Sequence, residues 1–330
     1  MRTRALVGVE SRFMENVTHR SITTNGIAMH VAERGQGPTV VLCHGFPELW
    51  YSWRHQIGAL ADAGYRVVAP DQRGYGATDR PKGIEEYDIL HLTDDLLGLL
   101  DALGEEKAVF VGHDWGAPVV WHLAQRVPHR VRAVVGLSVP FLPRGDTDPI
   151  SLFEALFPDT FFYMLYFQEP GVADADLGRD PRDTLRRFMS GISADGAADA
   201  FRPLPRTGTR LSDWLPDPGD LPGWLKEKDL DYYAEEFGRT GFTGGLNWYR
   251  NMRRNWELTE DLAQTKVVAP ALFITGEHDP VAMMTSTAEM EEWVPDLRGQ
   301  VTLRAAGHWT QQESPDEVNA ALIDFLSGLD

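Results

Sequence analysis

Hydrophobic and polar positions sort this chain into three stretches. Residues 21–24 and 27–32 are short alternating runs on either side of Asn25-Gly26, a dipeptide that signals a two-residue hairpin. The runs at 40–43, 65–69, 107–111 and 131–137 are short, apolar and β-rich, the pattern of strands covered on both faces. Helix-compatible segments lie between them. Residues 50–61 form one. In another, Ile89, Leu92, Leu96, Leu99, Leu100 and Leu103 make an apolar stripe that Gly104 ends. Strand and helix alternate, which predicts a mostly parallel sheet with helices on both faces, opened by an antiparallel pair.

The pattern then changes. From about residue 141 to 256 no strand is evident, aromatic residues are dense, and helix-like pieces are interrupted at Pro170, Gly171, Gly178, Pro181, Pro203, Pro205, Pro216, Pro218 and Pro222. This stretch reads as an inserted helical lid. The α/β pattern returns with strands at 271–275 and 301–304 and a closing helix at 315–329, where Val318, Ala321, Leu322, Phe325 and Leu326 share a face. The predicted organisation is a core in two parts, 14–140 and 259–330, with the lid at 141–258. Residues 1–13 read as a loosely held tail or an over-long start.

At 330 residues the chain can bury a large core. A net charge of −18 argues against a nucleic-acid partner. The single cysteine, Cys43, sits in an apolar run and precludes a disulfide within the chain, which fits a reducing, cytoplasmic setting. No apolar run is long enough to span a membrane. No His/Cys/Asp cluster has metal spacing and no Gly-rich phosphate loop is present, so neither metal nor cofactor is expected.

Three strand ends carry the candidate chemistry. Gly112-His113-Asp114-Trp115-Gly116-Ala117 joins a buried strand to a helix through a sharp turn, with small residues flanking one acid. Asp279 follows the strand at 271–275, and His308 follows the strand at 301–304. Carboxyl ends of parallel strands are where open α/β sheets bind ligands. Nucleophile, acid, histidine is a known triad order. An Asp nucleophile suits an electrophilic sp3 carbon and yields an alkyl ester, which His308, oriented by Asp279, would hydrolyse by activating water. The backbone N–H groups of Phe46, in His44-Gly45-Phe46-Pro47, and of Trp115 are positioned to form an oxyanion hole. Glu277 is the less favoured third acid, because Asp279 is the one beside the helix-starting Pro280. His113, Asp71 and Arg73 read as structural groups, and His278 as a solvated one.

Those residues resemble the soluble epoxide hydrolases of the α/β-hydrolase fold, bacterial members above all. The matching segments are 44–56 (HGFPELWYSWRHQ), 71–76 (DQRGYG), 112–117 (GHDWGA), 166–171 (YFQEPG) and 244–251 (GGLNWYRN). The resemblance implies an eight-stranded, mostly parallel sheet with a cap. It implies conversion of a hydrophobic epoxide and water to a vicinal diol, without a cofactor. It also implies two lid tyrosines that hydrogen-bond the epoxide oxygen, falling on Tyr166 and Tyr249, while Tyr163, Tyr232 and Tyr233 are read as lid packing. Phe46, Pro47, Trp115 and Trp309 are expected to line the pocket. The oligomeric state, a homodimer included, is left open. The main rival is a haloalkane dehalogenase using the same triad, disfavoured because Phe46 offers no side-chain donor to a halide. A binding protein that lost turnover is disfavoured by the complete triad, and an esterase by the absence of Ser at the turn.

Overall fold

A computed structural model describes residues 16–196 and 202–329. The expected tail at 1–13 lies outside the described residues. Eight strands, β1 (Thr18–Thr24), β2 (Ile27–Arg34), β3 (Thr39–Cys43), β4 (Arg66–Pro70), β5 (Ala108–His113), β6 (Val131–Leu137), β7 (Ala271–Gly276) and β8 (Leu297–Leu303), make one sheet. Their order is β1-β2-β4-β3-β5-β6-β7-β8. The pairs β1/β2 and β2/β4 are antiparallel. Every other pair is parallel. The first hairpin turns at Asn25 (φ 42°) and Gly26 (φ 77°), the pair of positive φ values that a two-residue turn matching strand twist needs.

The alternating side-chain directions of the strands divide the core into two layers. Val41 and Phe110 point into one, which continues into the helical insert. Val40, Leu42, Val109 and Val111 point into the other, against the helices Arg54–Asp62 and Pro315–Ser327. The central strands β3 and β5 are buried at every position, as their unbroken apolar runs require. The edge strands differ from the sequence reading. β1 begins at Thr18 rather than 21, and β8 at Leu297 rather than 301. The unread start of β1 is polar and exposed, and that of β8 (Leu297, Arg298, Gly299, Gln300) holds a single, half-buried apolar side chain, so little hydrophobic pattern marks either start.

Between β6 and β7 the described residues of the insert form eight α-helices: Pro149–Leu156, Tyr163–Tyr166, Val172–Leu177, Pro181–Gly191, Leu211–Trp214, Glu227–Thr240, Thr243–Arg250 and Met252–Leu258. Pro149 and Pro181 start helices, capped by Asp148 and Asp180, whose side chains accept from Ser151 N and Asp183 N. The insert docks on the core through polar pairs. Tyr51 donates to Asp229 (2.8 Å), the Trp50 indole donates to the Tyr232 hydroxyl (3.0 Å), and Ser52 meets Tyr233 (2.8 Å). This docking gives Tyr232 and Tyr233 their role.

Beneath the insert, Arg73 forms a forked pair with Asp95, Nε to Oδ2 at 2.7 Å and Nη2 to Oδ1 at 2.6 Å, both side chains being buried. The Arg73 carbonyl accepts from the Trp248 indole of the insert at 3.1 Å. Asp95→Ala would strand a buried guanidinium, so unfolding stability in urea should fall by about 3–5 kcal/mol. Arg20→Ala, which breaks the exposed pair with Glu33, should cost less than about 1 kcal/mol.

Candidate active site

Strand β5 ends at His113, and Asp114 follows with φ at 49°, a left-handed conformation that a non-glycine residue adopts only under constraint. The helix Gly116–Arg126 starts two residues later. A side-chain carbon at Gly116 would collide with the Cys43 carbonyl, and one at Gly45 with the Asp114 side chain. Both positions are therefore closed to anything but glycine. The turn projects the Asp114 carboxylate into a buried chamber.

Two groups meet that carboxylate. Phe46 N–H donates to Oδ1 at 2.7 Å. His308 Nε2 stands 3.5 Å from Oδ2. On the far side of the imidazole, Nδ1 lies 3.1 Å from Asp279 Oδ1 and 3.1 Å from the Ser138 hydroxyl. Asp279 also accepts from Val281 N at 2.9 Å and caps the helix Pro280–Met284. Burial alone would raise the Asp279 carboxyl pKa, but His308 and the hydrogen bonds hold it below the usual range. For His308, burial disfavours the charged ring, yet Asp279 and Asp114 outweigh it and lift the pKa to about 10. Its two acidic neighbours thus favour the charged form of the ring.

A cavity of about 20 Å³ opens on Asp114 and His308, with Phe46, Tyr163, Phe188, Ile192, Trp214, Tyr249, Pro280 and Val281 around it. Burial first, and then the Asp114 carboxylate, raise the phenol pKa of both Tyr163 and Tyr249 well above the ordinary value, so both stay protonated donors. The rings of Tyr163 and Tyr249 are 6.1 Å apart.

The expectation for Tyr166 is corrected here. Its hydroxyl donates to Asp176 at 2.9 Å, an acid that also accepts from Leu211 N, and Tyr166 is absent from the cavity wall. Tyr163, read from the sequence as packing, takes that place. Tyr163 lies four residues before Phe167 and shares its helix face, and Phe167 is fully buried against Phe46 and Tyr249. Tyr166 points a hundred degrees or so away, as adjacent helix positions do. Three pocket residues are also corrected. Pro47 is buried, behind a cis bond to Phe46. Trp115 packs edge-on against Trp248 and Tyr249, and Trp309 is fully buried with its indole bonded to Met189 O at 2.9 Å. None of the three lines the cavity. Of the other wall residues, Pro280 and Val281 follow Asp279 directly, while long-range packing alone brings in Phe188, Ile192 and Trp214.

His113 points away from the cavity. Its Nε2 donates to the His308 carbonyl at 2.7 Å and its Nδ1 faces Glu48 at 2.7 Å. Burial opposes ionisation of Glu48, but His113 and the Gly45 N–H overrule it and hold the acid at about 2. Asp71 accepts from Trp50 N at 3.0 Å and pairs with His30, fixing the loop as the sequence suggested. Among the described residues, no three His, Cys, Asp or Glu side chains are grouped to hold a metal ion. Nor is any described helix long and apolar enough to cross a membrane.

Comparison with known proteins places this geometry. Residues 38–315 match the family model described as alpha/beta hydrolase fold. Epoxide hydrolase A of Mycobacterium tuberculosis is 54% identical over 316 residues, covering 95% of this chain and 98% of that protein. Epoxide hydrolase 3 of Siraitia grosvenorii is 43% identical, covering 95% of this chain and 99% of that protein. The crystal structure of epoxide hydrolase A from Mycobacterium thermoresistibile superposes with a TM-score of 0.92 at 56% identity, covering 96% of this chain and 99% of that one.

The raised His308 pKa has a stability consequence. A base whose pKa rises on folding stabilises the fold fully below its unfolded pKa of about 6.5. That contribution drains away as pH climbs through about 10. The melting temperature of His308→Gln should therefore lack this alkaline loss. The gap between wild type and variant, followed by calorimetry from about pH 7 to about pH 10.5, should narrow as the imidazolium deprotonates.

Proposed function

Because the chain belongs to the α/β-hydrolase family, and within it to the epoxide hydrolases, we propose that it opens a hydrophobic epoxide to a vicinal diol through an ester on Asp114. One observation carries this reading: two phenols kept neutral beside the nucleophile, Tyr163 and Tyr249, in the same chamber as His308. An epoxide oxygen leaves as an alkoxide and needs proton donors. A departing halide takes hydrogen bonds but no proton, so two phenols able to yield one favour the epoxide over the haloalkane.

The steps follow from the atoms. An Asp114 oxygen attacks one ring carbon, the carbon–oxygen bond breaks, and the oxygen takes a proton from Tyr163 or Tyr249. Esterification removes the Asp114 charge and part of what held the proton on His308. The imidazolium then returns a proton to the tyrosinate and becomes a base. Neutral His308, aligned by Asp279, takes a proton from water as the oxygen adds to the ester carbonyl. The oxyanion is received by the N–H of Phe46 and that of Trp115. Collapse expels the diol oxygen, which takes the carboxyl proton. Asp114 ends as the carboxylate, His308 as the imidazolium, both tyrosines neutral. The helical insert acts as the lid of this chamber, and its aromatic wall selects an apolar substrate.

Two experiments test the scheme. Asp114→Ala should abolish diol formation. His308→Gln should accumulate an adduct of one substrate mass when incubated with styrene oxide, read by intact-protein mass spectrometry; absence of any adduct while wild type turns over sinks the two-step route. Parallel assays with bromoalkanes should release no halide. Separately, Tyr163→Phe and Tyr249→Phe should each slow ring opening by about 10²-fold. Tyr166→Phe should leave it near wild type, and the reverse ranking would return the donor role to Tyr166.

A further inference from the structure

The loop bearing His308 is stitched to the insert rather than to the sheet alone. His308 N donates to Ile192 O at 3.0 Å, and the Trp309 indole donates to Met189 O at 2.9 Å. Between them stands one carboxylate that the mechanism above does not use. Glu313 Oε2 accepts from Gly307 N at 3.0 Å and from Ala194 N at 2.9 Å, and Oε1 accepts from Trp309 N at 2.9 Å. It therefore grips the residue before the base, the residue after it, and a residue of the insert two positions from the cavity-lining Ile192. The backbones meet closely here. A side-chain carbon at Gly307 would collide with Ala194 N and the Ser193 carbonyl carbon.

Resting on the proposed function, we infer that Glu313 is a positioning residue for the hydrolytic half of the reaction, clasping the His308 loop to insert residues 192–194. The asymmetry between the two half-reactions follows from placement. Ring opening needs Asp114, fixed by the β5 turn, and the phenols of Tyr163 and Tyr249, fixed by other helices. None of these bonds to Glu313. Water activation needs the Nε2 of His308 at a set distance from the ester, and that distance depends on the backbone Glu313 holds. Three N–H donors converge on the carboxylate, and it is charge and acceptor capacity together that serve all three. An amide in its place keeps one oxygen for two of them and turns an NH2 group toward the third. Burial raises the Glu313 pKa and these three N–H groups draw it back, so the carboxylate works against a real desolvation cost.

The test separates the two steps in Glu313→Gln. Rapid mixing of excess enzyme with styrene oxide, quenched and read by intact mass, gives the rate of ester formation and the rate of its decay. Ester formation should stay within about twofold of wild type. Ester decay should slow by about 10- to 100-fold, so that ester becomes the dominant species in steady state. Equal losses in both steps, or no change in either, overturn the positioning role. Should Glu313→Gln fail to fold, Gly307→Ala pries the same clasp apart from the other side, and should show the same selective slowing of decay. If wild type makes diol with no ester at any time point, the ester mechanism itself fails, a result distinct from a failure of the clasp.

Discussion

A carboxylate-bearing residue held at φ 49° is the constraint on which the rest of the molecule depends. That conformation costs on the order of 1 kcal/mol and persists only where its surroundings over-determine it. They do so here from every side. Strand β5 is paired with β3 and β6 along its buried length, so the chain arrives at residue 114 with no freedom. The helix beginning at Gly116 presses against the end of β3 so closely that only glycine fits. The loop after β3 then delivers the Phe46 N–H to the carboxylate at 2.7 Å. The sheet order with β3 and β6 flanking β5 is thus what makes one oxygen of Asp114 a held acceptor and leaves the other facing His308.

A second layer of buried charge stands behind the first. Asp114, His308 and Asp279 form one chain of contacts, and Glu48 with His113 forms another. The two touch at the His308 carbonyl, which accepts from His113, and at Gly45, whose N–H is held by Glu48 at 2.9 Å. Gln311 and Gln312 complete Glu48 at 2.9 and 3.1 Å. Buried ions are costly unless every lone pair and proton is met, and here the partners of Glu48 and His113 are drawn from residues 45, 308 and 311–312. The same bonds that satisfy the inner pair fix the backbone of both the Phe46 loop and His308.

How much of this was legible in the sequence depends on how local the determining force is. The central strands and the helix Ile89–Leu103 were readable because burial on both faces, or on one stripe, writes a period into the residues. Asp114, Asp279 and His308 were readable because each sits next to the small residues or the helix-starting proline that a strand-end turn demands. The edge strands β1 and β8 were misjudged at their starts, since solvent on their outer positions leaves little apolar mark. Tyr163 and Tyr166 show the limit most clearly. Both are aromatic residues of one four-residue helix, and the decision between them is made by Asp176, ten residues beyond Tyr166, and by Phe46 on another element entirely. Segment similarity alone pointed to Tyr166, three residues past the tyrosine that lines the cavity.

The Tyr163 ring lies flat against the Trp214 indole, with centroids 5.1 Å apart and planes 4° from parallel, and Tyr249 stands edge-on to Trp115 at 5.1 Å. Each phenol facing the nucleophile is therefore in van der Waals reach of a fluorophore. A phenolate is an efficient quencher of indole emission and a neutral phenol is not. In the proposed mechanism a transient charge on either oxygen would therefore dim tryptophan emission, a readout that needs no label.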